Sequence, residues 1–148
     1  SPEPTVSVAG SDHVAETRVD LAPDASCRII EEFALGRSGE PAGRLRTRLR
    51  VTRGGRALVD HGEVFGPDLP GAGSLARAGA ARHVLTAVIV GPAAVASSWA
   101  TVGLPGVSVA RIAVTDDVAV VLAAGPDRPS VLAASRDLVR PGRSGGGR

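Results

Sequence analysis

The residues best placed to do chemistry lie between Cys27 and Glu40, in the run Cys-Arg-Ile-Ile-Glu-Glu-Phe-Ala-Leu-Gly-Arg-Ser-Gly-Glu. Successive side chains of an extended strand point to opposite faces. Cys27, Ile29, Glu31, Phe33 and Leu35 therefore share one face, and Glu31 is its only acid. A carboxylate in such company is neutralised, paired, or set against a water-filled passage. Carboxylate and water ligands suit hard and borderline divalent cations, and a weak site passes an ion on more readily than a tight one. Two readings stay open: a strand-end or arginine-paired residue, and a functional carboxylate.

Other chemistry is largely excluded. There is no Gly-x-Ser-x-Gly elbow, and no serine or cysteine stands beside a histidine base. Gly71-Ala-Gly-Ser74 lacks the Gly-Lys-Ser/Thr ending of a phosphate loop, and the chain contains no lysine. His13, His61 and His83 show no ligand spacing and read as ordinary strand or turn residues, and Asp116-Asp117 reads as a turn. Cys27 reads as inward and inert. Arg44, Arg46, Arg48 and Arg50 form a basic row, but Phe33, Phe65 and Trp99 are the only aromatic residues. Without stacking partners that row is a solvated or partner-facing sheet face rather than a nucleic-acid surface. Arg46 and Arg48 are its candidate partner-binding residues. With no acid–base–nucleophile set, the chain is not expected to be an enzyme.

The elements that position these residues read as strands. With 148 residues and 43% hydrophobic content, the chain suits one domain with a real core. Val6 and Val8 mark a short strand. Residues 14–21 alternate, with Ala15, Thr17, Val19 and Leu21 on one side, and Ala22-Pro23-Asp24-Ala25 reads as a turn into 27–35. Those two strands are expected to form a hairpin. A second hairpin is expected between 44–52 and 57–65, because Gly54-Gly55 supplies the positive dihedrals of a two-residue turn. Such a turn sets Arg46 across from Glu63 and Arg48 across from His61. Leu45, Thr47, Leu49 and Val51 then face inward. Residues 66–80 are a Gly/Pro-rich loop, strands return at 82–90, 107–114 and 117–124, and 92–101 is ambiguous. Residues 130–140 read as a helix capped by Ser130 and ended by Pro141-Gly142. The fold class is mainly β: stacked, twisted antiparallel or mixed sheets with one short C-terminal helix. One β domain is expected over 1–141, with a flexible tail at 142–148.

Net charge is +2, too small to call for a polyanionic partner. A lone cysteine gives no disulfide framework and suits a reducing, cytoplasmic setting. The apolar runs at 84–96 and 118–124 are too short or too broken to span a bilayer, so no membrane role is expected. The chain opens Ser1-Pro-Glu-Pro4 and contains no methionine, which suggests a processed N-terminus or a piece of a longer protein.

Pro2-Glu-Pro-Thr-Val6, Thr17-Arg-Val-Asp-Leu-Ala-Pro23 and Glu31-Glu-Phe-Ala-Leu-Gly-Arg-Ser-Gly-Glu40, in that order, resemble the urease accessory protein D family, UreD or UreH. Arg44–Asp60 and Ala81–Gly91 fit the same pattern. The resemblance covers essentially residues 1–140 and matches the C-terminal portion of the family, so the N-terminal part of the fold is expected to be missing. It implies a non-catalytic protein of stacked β-sheets that binds apo-urease and a second accessory protein, UreF, which recruits the GTPase UreG. It further implies help in delivering nickel along a water-filled tunnel lined by polar and acidic side chains, with no tightly bound cofactor. On that resemblance Glu31 and Glu40 are the candidate nickel-transit carboxylates, with Arg37 as their electrostatic partner. The chain departs from the family at Arg28-Ile-Ile and at Pro41-Ala-Gly.

Overall fold

The computed structural model describes residues 3–70, 80–94 and 99–139. The strands are β1 (Thr5–Ser7), β2 (Asp12–Leu21), β3 (Cys27–Leu35), β4 (Arg44–Arg53), β5 (Arg56–Phe65), β6 (His83–Val90), β7 (Trp99–Leu104), β8 (Val107–Thr115) and β9 (Val118–Gly125). One helix, α1 (Arg128–Val139), follows them. Six strands form one sheet in the order β1-β3-β6-β9-β8-β7, and three form a second in the order β2-β4-β5. The mainly β reading with a single C-terminal helix holds.

The first four strands alternate between the sheets. β1 pairs parallel with β3, and β2 pairs parallel with β4. Each β–β pass is one coil, and the next coil stacks on it. The expected hairpin between 14–21 and 27–35 therefore does not form. Its turn is present, with the Ala25 N–H donating to the Ala22 carbonyl at 3.1 Å, but it carries the chain from one sheet to the other. Alternation reports that one face of a strand is buried. It does not say which neighbour lies alongside.

The second hairpin forms as expected. Gly54 and Gly55 have φ of 56° and 78°, and Arg53 pairs with Arg56 around them. The register then slips: Thr52 faces Ala57 while Val51 faces Val59, so Leu58 is the extra residue of a bulge. Arg46 consequently faces Val64 and Arg48 faces Gly62, not Glu63 and His61. The unbulged register would have set Asp60 opposite inward Leu49. The bulge turns Asp60 outward and buries Val59 and Phe65. By the same shift it turns His61 and Glu63 inward, opposite Leu49 and Thr47.

The helix begins two residues before its expected start. The Asp127 carboxylate accepts the Ser130 N–H at 2.8 Å, so Asp127 rather than Ser130 is the cap. At the other end, buried Arg111 of β8 donates to the carbonyl of Leu138 and, at 2.9 Å, to that of Ala94. Arg28 of β3 donates to the Val139 carbonyl at 3.4 Å. Two guanidinium groups thus satisfy carbonyls at the negative end of the helix dipole.

The strands expected near 82–90, 107–114 and 117–124 are β6, β8 and β9. The ambiguous stretch contains a 3-10 turn at Pro92–Ala94 and the start of β7. Most of the expected loop, 71–79, and the expected tail lie outside the described residues. Among the described residues no helix is long and apolar enough to cross a membrane.

The core has two layers. Leu85, Ile89, Val107, Val121 and Val131 pack between the six-stranded sheet and α1. Between the two sheets lie two separate apolar clusters. One is built on Leu49, Val51, Val59, Val88 and Val120, the other on Phe33, Leu35, Leu45, Phe65 and Val84.

Candidate functional site

A polar belt separates those two inter-sheet clusters. Along β3, Ile29 belongs to one cluster and Phe33 to the other, with Glu31 between. Along β6, Thr86 lies between Val88 and Val84, and it pairs directly with Glu31. Along β5, His61 and Glu63 lie between Val59 and Phe65; along β4, Thr47 lies between Leu49 and Leu45. On β2, Thr17 lies between Val19 and Ala15. Five strands therefore carry a polar side chain near the boundary between the clusters, on two adjacent rungs of the three-stranded sheet: Thr47 faces Glu63, and Leu49 separates Thr17 from His61.

The belt is partly open to water. Thr86 is buried, whereas Glu31, Thr17, Thr47, His61 and Glu63 are intermediate. The His61 Nε2 lies 3.5 Å from a Glu63 carboxylate oxygen, with side chains 25% and 35% exposed. That carboxylate, with the charge of Glu31 behind it, holds the His61 imidazole above its usual pKa despite partial burial. Among the described residues no arginine or hydrogen-bond donor engages the Glu31 carboxylate. Two carboxylates, an imidazole and three hydroxyls can attract and pass a hydrated cation. They are strung out rather than gathered: among the described residues no three acid, histidine or cysteine side chains are grouped to hold a metal ion.

Glu31 thus lies where the alternation placed it, on the inner face. Glu40 does not join it. It sits in the loop after β3, where its N–H donates to the Arg37 carbonyl at 3.1 Å. Gly36, at φ 85°, closes that loop so tightly that a Cβ there would meet the Glu40 carbonyl at 2.7 Å. Phe33 and Leu35 intervene, about 13 Å of strand separating residues 31 and 35. Arg37 is exposed and makes no ion pair with Glu31 or Glu40 among the described residues; its carbonyl also accepts from Arg82.

The arginine row faces outward as expected, but its charge is largely spent within the sheet. Arg46 pairs with Asp12 at 3.0 Å, and Arg48 holds Asp60 through two hydrogen bonds of 2.9 Å. Arg50 adds a contact of 3.0 Å to the same carboxylate, and together they depress the Asp60 pKa far below its usual value. Two carboxylates thus meet three of the four arginines of the row, and Arg44 joins no ion pair among the described residues.

Two groups escaped the sequence reading. His61 looked like an ordinary strand residue, and only the bulge aims it inward. Glu32, beside Glu31, points to the helix side, where Arg128 donates to it at 2.6 and 3.3 Å and the His83 Nε2 lies 3.4 Å away. The only sequence signal for that ion pair was the acid's place one residue out of phase with Glu31. Cys27 lies partly buried beside the first inter-sheet cluster, where burial pushes its thiol pKa up.

The sequence matches the UreD urease accessory protein family across residues 1–145. The chain belongs to that family. A urease accessory protein UreD of Frankia casuarinae is 39% identical over 140 residues, covering 85% of this chain and 44% of the relative. The Frankia alni UreD is 37% identical over 126 residues, with 74% and 40% covered. A Streptomyces griseus protein, urease accessory protein UreD 3, is 51% identical over 70 residues, 47% of this chain and 27% of that one. The chain therefore spans less than half the length of these curated relatives.

Proposed function

We propose that this UreD chain is a non-catalytic scaffold of urease maturation, acting in the cytoplasm, and that nickel passes between its two sheets along the polar belt. Apo-urease and the accessory proteins UreF and UreG are its partners in this reading. The supporting observation is the belt itself: Glu31, without an arginine partner among the described residues, lies with Thr86, Thr47, Thr17 and the His61–Glu63 pair between two apolar clusters. An acid kept for stability would be neutralised, as Glu32 is by Arg128. A string of weak oxygen and nitrogen donors binds a divalent ion at each point loosely enough to release it. Nickel is cargo here, not a resident cofactor.

The test is urease activation in a host carrying the structural and remaining accessory genes. Glu31→Ala should lower activation strongly while co-purification with urease and UreF is retained, and Glu31→Asp should restore part of it. Glu40→Ala, off the belt, should have the smaller effect. Wild-type activation by Glu31→Ala would remove the conduit reading. Loss of co-purification together with activation would instead make the residue structural.

A further inference from the structure

His61 and Glu63 stand two apart on β5, so strand geometry puts both on one face. The bulge at Leu58 makes that face the inner one. The His61 Nε2 is buried and completes no hydrogen bond among the described residues, and a Glu63 carboxylate oxygen lies 3.5 Å away. That gap exceeds the usual hydrogen-bond span of about 2.7–3.2 Å. It suits two ligands of one ion. Imidazole nitrogen and carboxylate oxygen each sit about 2.1 Å from a zinc-sized divalent ion, which sets them about 3.0 Å apart at a right angle and about 3.4 Å apart at the tetrahedral angle. Thr47 faces Glu63 across the β4–β5 ladder, and the Glu31 charge acts on the imidazole from the facing sheet.

His61 is also the one nitrogen donor of the belt. Glu31, Glu63, Thr17, Thr47 and Thr86 offer only oxygen. Oxygen donors suit magnesium and calcium, whereas imidazole suits nickel, zinc and copper. A passage lined by oxygen alone would discriminate poorly between nickel and magnesium.

We infer that the His61–Glu63 pair is the selecting point of the belt: a chelate of Nε2 and one carboxylate oxygen that takes a borderline divalent ion such as nickel and passes over magnesium and calcium. The inference rests on the belt being a passage. Among the described residues no three such side chains are grouped to hold a metal, so water fills the remaining positions and the ion is held briefly. Binding releases to solvent the proton that otherwise draws the two side chains together.

The test uses the whole 148-residue chain carrying His13→Gln, which removes an exposed imidazole on β2. NMR follows the ring signals of the other two histidines. His83, on the helix side against Glu32, is the internal control. Nickel chloride should broaden the His61 ring signals well before those of His83. Zinc should compete with nickel, and magnesium or calcium at about a hundredfold excess should neither move the His61 signals nor displace nickel. His61→Gln, which trades the nitrogen for an amide oxygen, should weaken nickel binding by at least about tenfold and let magnesium compete. The ring measurement needs no substitution at the pair, so a variant that fails to fold leaves the test intact. Unchanged His61 signals under nickel, earlier broadening of His83, or displacement of nickel by magnesium overturns the inference. Urease activation separates it from the passage itself. Loss of activation in Glu31→Ala with no nickel effect at His61 keeps the passage and removes its selecting point. Full activation in Glu31→Ala with selective nickel binding at His61 removes the passage and keeps the chelate.

Discussion

Glu31 and Glu32 are neighbours on one strand and lead opposite lives. Glu32 faces the helix, its side chain 4% exposed, held by Arg128 from the first turn of α1 and flanked by His83. Glu31 faces the other sheet, half-buried, with no arginine on it among the described residues and a histidine–glutamate pair across the gap. The histidines follow suit. Burial pushes the His83 pKa down despite the nearby Glu32, whereas Glu63 raises that of His61. The helix-side layer uses ionic groups to fasten an element and leaves them nothing else to do. The inter-sheet layer interrupts its own core with polar groups, of which His61 and Glu63 pair with each other.

That contrast can be broken from the helix side first. Arg111→Leu leaves the Leu138 and Ala94 carbonyls without their donor and should cost about 4 kcal/mol in urea denaturation. Glu32→Ala should cost somewhat less, about 3 kcal/mol, because Arg128 is 34% exposed and can turn to water once its partner is gone.

The two histidines then sharpen the contrast through pH. A folded-state pKa raised above 6.5 means that His61 contributes stability present in full below that value and lost as pH rises through the folded pKa. The stability gap between wild type and His61→Gln should therefore shrink from acid to alkaline pH. His83 has the opposite sign. Its lowered pKa gives a contribution present above 6.5 and lost as pH falls through the folded value. Proton NMR titration should give a higher midpoint for His61 than for His83, and the reverse order would undo the two-layer reading. The smallest effect is expected at Glu31 itself. Glu31→Leu should change stability by less than about 1 kcal/mol, since among the described residues no hydrogen-bond donor loses a partner and apolar area is gained. A large destabilisation would mean that Glu31 fastens something after all.

Much of the fold was legible. The Gly54-Gly55 turn, the inward row Leu45–Val51, the β-strands after residue 82 and the helix before Pro141 all follow from period and punctuation. What failed were pairings. The turn at Ala22–Ala25 carries the same residues whether the chain doubles back or crosses to a second sheet, and only the stacking of β1 on β3 and β2 on β4 decides between them. The bulge at Leu58 was equally hidden, because its reason lies in burying Phe65 and freeing Asp60, several residues away. In the candidate site Glu31 was legible as an anomaly in its row. His61 and Glu63 were not, since the turn placed them in a register that the bulge overrides.

Period-two alternation is a property of neighbouring residues, so the sequence alone settled which side chains share a face, that the chain is mostly strand, and that Glu31 looks into the interior. The ordered motifs from Pro2 to Gly91 pointed to the family for the same local reason. Which strands lie side by side, where the register slips and which polar residues from five strands gather between the two clusters depend on contacts between distant segments. Only the packed sheets bring those contacts about, and only there do Glu31, His61 and Glu63 become one belt.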